Sequence, residues 1–276
     1  MIIDSHQHFW HFDPVRDSWI TDEMQAIRQD FLPEDLLPVY RENGIDACVA
    51  VQAAQSEEET RFLLRLAEEH DFIKGVVGWI DLLAPDVEER LAHFSQYKKL
   101  KGFRHIVQAE PEGFMLQEAF LHGIGKLEKF GYTYDIVIYP NQLDDAIALV
   151  KQFPDQKFVL DHIAKPYIRQ GIIYPWDEKI RALARFDNIY CKVSGLVTEA
   201  DHKSWKEADI KPYLDVVFDA FGSYRLLFGS DWPVCLLAAD YARTKAVVTH
   251  YLQDRLFAQE NEVWYQNAVD VYNLEL

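Results

Sequence analysis

Residues 45–80 read IDACVAVQAAQSEEETRFLLRLAEEHDFIKGVVGWI, and this stretch decides the fold. Two short apolar runs, IDACVAVQ from Ile45 and IKGVVGWI from Ile73, flank a longer amphipathic segment. Both runs are rich in β-branched and aromatic residues, which suit a pleated, buried strand. Between them, SEEETRFLLRLAEEH sets Phe62, Leu63, Leu66 and Ala67 on one helical face, behind a Ser56 cap and an acidic first turn. Strand, helix and strand in so short a span make a crossover unit, the connection that parallel strands require.

The same alternation runs outward in both directions. Upstream lies IIDSH near Ile2. Downstream come LKGFRHIV from Leu100, TYDIVIY from Thr133, KFVLDHI from Lys157, NIYCKVSG from Asn188 and YRLLFGSD from Tyr224. PDVEERLAHFSQY, NQLDDAIALVKQF and KPYLDVVFDAFG read as helices, the last closing at Gly222. From Leu256 onward, Val263, Trp264, Ala268, Val271 and Tyr272 form a further apolar helical stripe. Eight strand–helix units spread over 1–276 predict one domain: an α/β fold, a single (β/α)8 TIM barrel with a C-terminal helix. The alternative is an open doubly wound sheet, but no GxGxxG follows the first strand. Two long connections, from Trp10 to Phe31 and from Lys165 to Pro175, would follow strand C-termini, where barrels keep their chemistry.

The chain has 276 residues, with 45 acidic against 28 basic, a formal net charge of −17. That acidity repels phosphate backbones and anionic bilayers, so neither nucleic acid nor membrane is an expected partner. No run approaches the roughly 20 apolar residues of a membrane span, and MIIDSHQHFW does not read as a signal peptide. Cys48, Cys191 and Cys235 are odd in number and far apart, which reads as idle thiols in a reducing cytoplasm. Cys235 as a nucleophile is the less favoured alternative.

Four signals carry chemistry. His6-Gln7-His8 ends the first strand, and residues two apart share a face, so both imidazoles can meet one ion; Asp4 has the same parity, one layer deeper. Asp231 in FGSDWP ends the eighth strand, beside the first in a closed barrel. His162 in LDHIAKP ends the sixth strand, with the parity of Phe158 and Leu160, while Asp161 points the other way. Arg104-His105 ends the fourth, and parity does not decide which of the pair faces the mouth. Each has a blander reading: a chance HxH, a turn cap, a structural hydrogen bonder, a surface ion pair. Their common place at strand C-termini favours a site.

The phrases DSHQHFW, FLPEDLLPVYRENGID, VQAAQSEEET, KGFRHIVQ, LDHIAKP and FGSDWPVC resemble the amidohydrolase superfamily, and within it the sugar-lactonase branch of L-fuconolactonases and L-rhamnonolactonases. The resemblance covers nearly the whole chain. It implies a hydrolase of carbohydrate metabolism that opens a sugar-acid lactone, a small molecule. It implies His6 and His8 at the metal or carbonyl-polarising position, His162 as a site histidine and Asp231 as the base. Arg104, Tyr139, Lys165 and Trp232 would touch the substrate, and Trp10 or Trp79 could stack on a sugar ring. A divalent ion, zinc by preference, would sit on His6, His8 and Asp231; catalysis without metal is the other route. Many superfamily members also hold a bridging carboxylated lysine and a histidine after the middle strands. Here those places read Arg104-His105 and Tyr139-Pro140, which argues against a two-metal centre. The competing functions are a metal-dependent decarboxylase or amide hydrolase on the same barrel, and a sugar-acid binder without catalysis.

Overall fold

Eight parallel strands run in sequential order around the molecule: β1 (Ile3–Gln7), β2 (Ala47–Val51), β3 (Ile73–Gly78), β4 (Leu100–His105), β5 (Thr133–Ile136), β6 (Phe158–Leu160), β7 (Ile189–Val193) and β8 (Leu226–Phe228). The computed structural model describes residues 1–255 and 260–276. The ring closes where the chain beyond β8 meets the end of β1. Asp231 N–H donates to His6 O at 2.8 Å, and His8 N–H to Trp232 O at 2.7 Å. A helix follows each strand: α1 (Pro33–Asn43), α2 (Glu57–Glu69), α3 (Val87–Phe94), α4 (Glu118–Leu127), α5 (Leu143–Gln152), α6 (Trp176–Leu183), α7 (Glu207–Phe221) and α8 (Tyr241–Arg255). This is the expected (β/α)8 barrel.

Local chemistry sets these elements. Ser56 Oγ accepts from Glu59 N–H at 3.1 Å and caps α2, whose first turn is acidic and whose buried face is Leu63, Leu64 and Ala67. Phe62 and Leu66 are only half-buried against that face. The core has two layers. Ile3, Val49, Val51, Val77, Val159 and Leu227 fill the barrel, while the opposite faces of the strands pack on the helices through residues such as Cys48, Ala50, Phe158 and Leu160.

The C-terminal stretch joins the inner layer. A π-helical turn (Glu262–Gln266) leads into α9 (Asn267–Tyr272). Val263, Trp264, Ala268, Val271 and Tyr272 are buried, as the stripe predicts; the first residues of that stretch, 256–259, lie outside the described residues. Lys101 donates to Asn273 O and Lys157 to Asp270 O, so this segment stops the barrel at the strand N-termini. The opposite end stays open.

Over that open end pass the two long connections. The one after β1 contains a short turn at Gln25–Ile27 and is pinned by paired backbone bonds between Trp10 and Phe31, both 2.9 Å. The cysteines are free and buried. Among the described residues, no helix is long and apolar enough to cross a membrane.

Candidate active site

β1 does not keep its alternation. Ile3 faces the barrel interior, yet so does His6, because the pairing to β2 slips between Asp4 and Gln7. Asp4 therefore does not lie beneath the histidines, as strict parity predicts. It turns to the helix layer, accepting from Tyr40 Oη (3.0 Å), Tyr241 Oη (2.9 Å) and Ser230 N–H (2.9 Å). Those bonds anchor the loop that carries Asp231. Asp231 itself sits at φ 58°, a left-handed conformation that turns its carboxylate back over β1.

His162 also reaches the site against parity. Phe158 and Leu160 face the helices, and Asp161 faces inward. Residues His162, Ile163, Ala164 and Lys165 then all adopt positive φ, between 47° and 59°. This left-handed turn swings His162 back into the barrel mouth. Its Nδ1 lies 2.9 Å from Ser194 Oγ, and its ring packs edge-on to His6 with centroids 4.4 Å apart.

The four residues converge. Asp231 Oδ1 lies 3.4 Å from His8 Nε2, 3.8 Å from His6 Nε2 and 3.9 Å from His162 Nε2, and all four side chains are buried. The two strand-one imidazoles face each other, Nε2 to Nε2, at 3.2 Å. His8 Nδ1 is 2.8 Å from the Val51 carbonyl, which can only accept, so Nδ1 carries a proton and Nε2 is the atom turned toward the other site groups. Burial pushes the pKa of His162 down to about 4, against the pull of Asp231 and Asp161. Burial likewise holds His6 well below the usual histidine range. On Asp231, burial acts upward but the surrounding imidazoles outweigh it, holding the carboxyl well below its ordinary value. The carboxylate is ionised and His162 neutral at pH 7.

The donor set fits a divalent ion. His6 Nε2, His8 Nε2 and Asp231 Oδ1 stand 3.2, 3.4 and 3.8 Å apart. A tetrahedral zinc with arms of about 2.0–2.1 Å spaces its ligand atoms by roughly 3.3–3.4 Å. The bond from His8 to Val51 O is the outer support such a ligand needs. Arg104 Nη1 lies 3.3 Å from the same nitrogen of His6, so a guanidinium N–H and a metal ion are alternative partners for it.

Arg104, not His105, turns inward. Its Nη1 donates to Asp161 Oδ2 at 2.9 Å and its Nη2 to the Gln52 carbonyl; only Nε has no partner. His105 stacks on Phe114 outside the site, bonded to Glu110 and Trp79. Beneath Arg104 lies a cluster the sequence reading did not identify. Lys192, fully buried on β7, is 2.6 Å from Asp135, 3.0 Å from Asp161 and 3.2 Å from His6 Nδ1. Tyr272 Oη, from the C-terminal segment, closes on Asp135 at 2.6 Å. The available signal was a charge inside an apolar strand: Lys192 after Tyr190-Cys191, and Asp135 between Tyr134 and Ile136.

Above the four residues opens a cavity of about 320 Å³. His8, His162, Asp231 and Arg104 form its polar part, with Lys165 and Gln108; Trp10, Trp19, Ile106, Val137 and Val234 supply the apolar wall. Such a volume and mixture suit a small polar ligand. Lys165 also pairs with Glu199 at 3.2 Å and lies 5.7 Å from the Tyr139 ring centroid. Tyr139 is at the rim, beyond the cavity lining. Trp232 is a packing residue, buried between Phe9 and Phe31, and does not reach the cavity. Trp79 likewise lies outside it.

The family model described as Amidohydrolase matches residues 3–274. Two L-fucono-1,5-lactonases are similar. The one from Burkholderia multivorans is 39% identical over 99% of this chain and 96% of its own; that from Burkholderia ambifaria is 34% identical over 87% and 82%. A crystal structure of a Burkholderia multivorans amidohydrolase with bound zinc superimposes with a TM-score of 0.96, at 39% identity and full coverage of both chains.

Proposed function

The chain belongs to the amidohydrolase family, and from that membership and the geometry of its cavity we propose that it hydrolyses a sugar 1,5-lactone, L-fucono-1,5-lactone or a ring of like build. The observation that carries the reading is the Asp231 carboxylate, 3.4–3.9 Å from three imidazole nitrogens at the floor of the cavity. Asp231 takes a proton from water as the water oxygen bonds to the lactone carbonyl carbon. When the ring C–O bond breaks, Asp231 returns that proton to the leaving oxygen, and an open-chain hydroxy acid results.

A carboxylate held at low pKa is a weak base, so the carbonyl must be polarised as attack proceeds. Arg104 suits that work. Its Nη atoms are fixed by Asp161 and Gln52, which holds the guanidinium as a rigid cationic donor group in the cavity lining. One such donor on a developing oxyanion is typically worth roughly 3 kcal/mol. His6, His8 and Asp231 would hold zinc, which supplies Lewis acidity at the same corner when bound. His162, neutral and steered by Ser194, orients the water or the carbonyl. Lys165 faces the carboxylate that appears on ring opening. Its unpaired cysteines support a reducing, cytoplasmic setting as part of this reading.

The test is proton release from a panel of sugar 1,5-lactones, for the native protein and Asp231→Asn, before and after chelation. Acid should appear without gas, and Asp231→Asn should lose about 10²–10⁴-fold in kcat while melting as the parent does. Activity that vanishes on chelation and returns with zinc assigns the polarisation to the metal; activity that persists assigns it to Arg104. Silence on every lactone, or native turnover in Asp231→Asn, overturns the reading.

A further inference from the structure

Among the described residues, one large apolar side chain both lines the cavity and stands open to solvent: Trp19, 44% exposed. Trp10, Trp176, Trp205, Trp232 and Trp264 are buried, and Trp79 is half-buried. A single exposed hydrophobic residue on an outer surface needs no explanation. This one stands in the wall of the cavity that also holds Asp231, His8 and His162. An indole carries more apolar surface than any other side chain, and covering it with a ligand is a large gain that the free protein leaves unrealised.

The setting of Trp19 is rigid. The buried Asp17 carboxylate accepts from Asp13 N–H at 2.9 Å and from Arg16 Nε at 2.8 Å, and Ile20 N–H donates to the Asp17 carbonyl at 2.8 Å. Ile20 is buried as well, so the chain is anchored on both sides of Trp19 while the indole stays outside the core. The ring meets Trp10 edge-on, with centroids 6.1 Å apart and planes at 84°. Trp10 is itself fixed, its Nε1–H donating to the Gln29 carbonyl at 2.9 Å. An aromatic surface held on a fixed backbone, with two rotatable bonds, costs little entropy to engage. A sugar lactone carries hydroxyls around its rim and C–H bonds across its faces. Those C–H bonds are weakly positive and suit the negative face of an aromatic ring.

Resting on the lactonase reading, we propose that Trp19 is a substrate-binding residue: its indole is the platform on which a C–H face of the sugar lactone ring lies, while the lactone carbonyl meets the polar floor. The residue takes no part in bond making. Its contact is the same before and during ring opening, so it acts on binding and not on the chemical step.

The experiment pairs kinetics with acrylamide quenching of tryptophan fluorescence. Trp19→Ala should raise KM for L-fucono-1,5-lactone about tenfold and leave kcat within about twofold; Trp19→Phe keeps a ring and should lose less than about threefold in KM. Because Trp19 is the open indole, it should dominate quenching in the native protein, and Trp19→Phe should be quenched far less. In the Asp231→Asn protein, slow enough to hold the lactone, saturating L-fucono-1,5-lactone should cut the quenching by about half or more. A role confined to supporting Trp10 would give no such protection. Quenching that the lactone leaves unchanged, a native KM in Trp19→Ala, or a loss confined to kcat overturns the proposal. If the native protein opens none of the sugar lactones, the lactonase reading fails and this proposal falls with it, an outcome visible before any variant is assayed.

Discussion

Replacing Lys192 with methionine removes the cation at the centre of the barrel and leaves two carboxylates behind. Lys192 Nζ is 2.6 Å from Asp135 and 3.0 Å from Asp161, with all three side chains fully buried. At an effective dielectric near 20, each contact is a gross attraction of about 6 kcal/mol, set against several kcal/mol of desolvation per ion. Asp161 keeps Arg104 in the variant, so Asp135 is the carboxylate left without a cation, with only hydroxyl donors such as Tyr272 Oη beside it. Its cheapest escape is to take up a proton. Starting from an ordinary carboxyl pKa of 3.8, that costs about 4 kcal/mol at pH 7, at 1.36 kcal/mol per unit. The figure agrees with the 3–5 kcal/mol usual for breaking a buried pair. It also fixes a pH dependence. In the variant the native state binds a proton that the unfolded chain does not, so the deficit relative to the parent shrinks as pH falls, by about 1.4 kcal/mol per unit toward pH 4. Urea unfolding from pH 5 to 8 measures this. The double variant Lys192→Met/Asp135→Asn leaves only the Arg104–Asp161 pair and should recover more than half of the loss. A Lys192→Met deficit under about 1 kcal/mol, a deficit that ignores pH, or a double variant no better than the single would refute the reasoning.

Two further outcomes are expected. His162 titrates near 4 in the folded protein and near 6.5 when unfolded, so between those values the unfolded chain binds more protons. Stability is full above pH 6.5 and falls by about 3 kcal/mol on descent to pH 4, with His6 acting in the same direction; His162→Asn should flatten the dependence of the urea midpoint on pH across that window. Gly195 lies at φ 64°, and a Cβ there would stand 2.7 Å from His162 Nδ1. Gly195→Ala should therefore displace the imidazole and lower kcat on the lactone substrate by about tenfold or more with the circular dichroism unchanged, and a fully active variant would separate His162 from turnover.

What was legible in the sequence was what neighbours in the chain decide. Strand and helix identity in 45–80 follow from side-chain periodicity. His6, His8 and Asp231 lie at strand ends that a closing barrel must bring together, whatever the details of packing. The readings that depended on strict alternation fared differently. Asp4 turns outward because the β1–β2 pairing slips at the following residues, and a slip of that kind is set by the ring's closure rather than by the letters DSHQ. Arg104 and His105 could not be separated until Asp161 and Gln52 were seen to claim the guanidinium. Trp232, plausible as a sugar platform, serves the aromatic packing around Phe9 and Phe31 instead.

The turn DHIAK shows the limit most clearly. Four successive residues other than glycine hold φ between 47° and 59°, and each such residue costs roughly 1–2 kcal/mol. His162 is of a type that tolerates positive φ, but Ile163, Ala164 and Lys165 are not, so no reading of the segment by itself predicts the run of four. The compensation comes from distant parts of the chain. Asp161 is gripped by Lys192 and Arg104, His162 meets Ser194, and the Ile163 carbonyl accepts from Trp176 Nε1 at 2.8 Å. The strained turn places His162 against Asp231 and Lys165 on the cavity lining from one short segment. Strain at the mouth and the buried ion cluster beneath it are thus one device: the charges in the barrel hold the segment by Asp161, and the segment delivers the side chains that face the ligand.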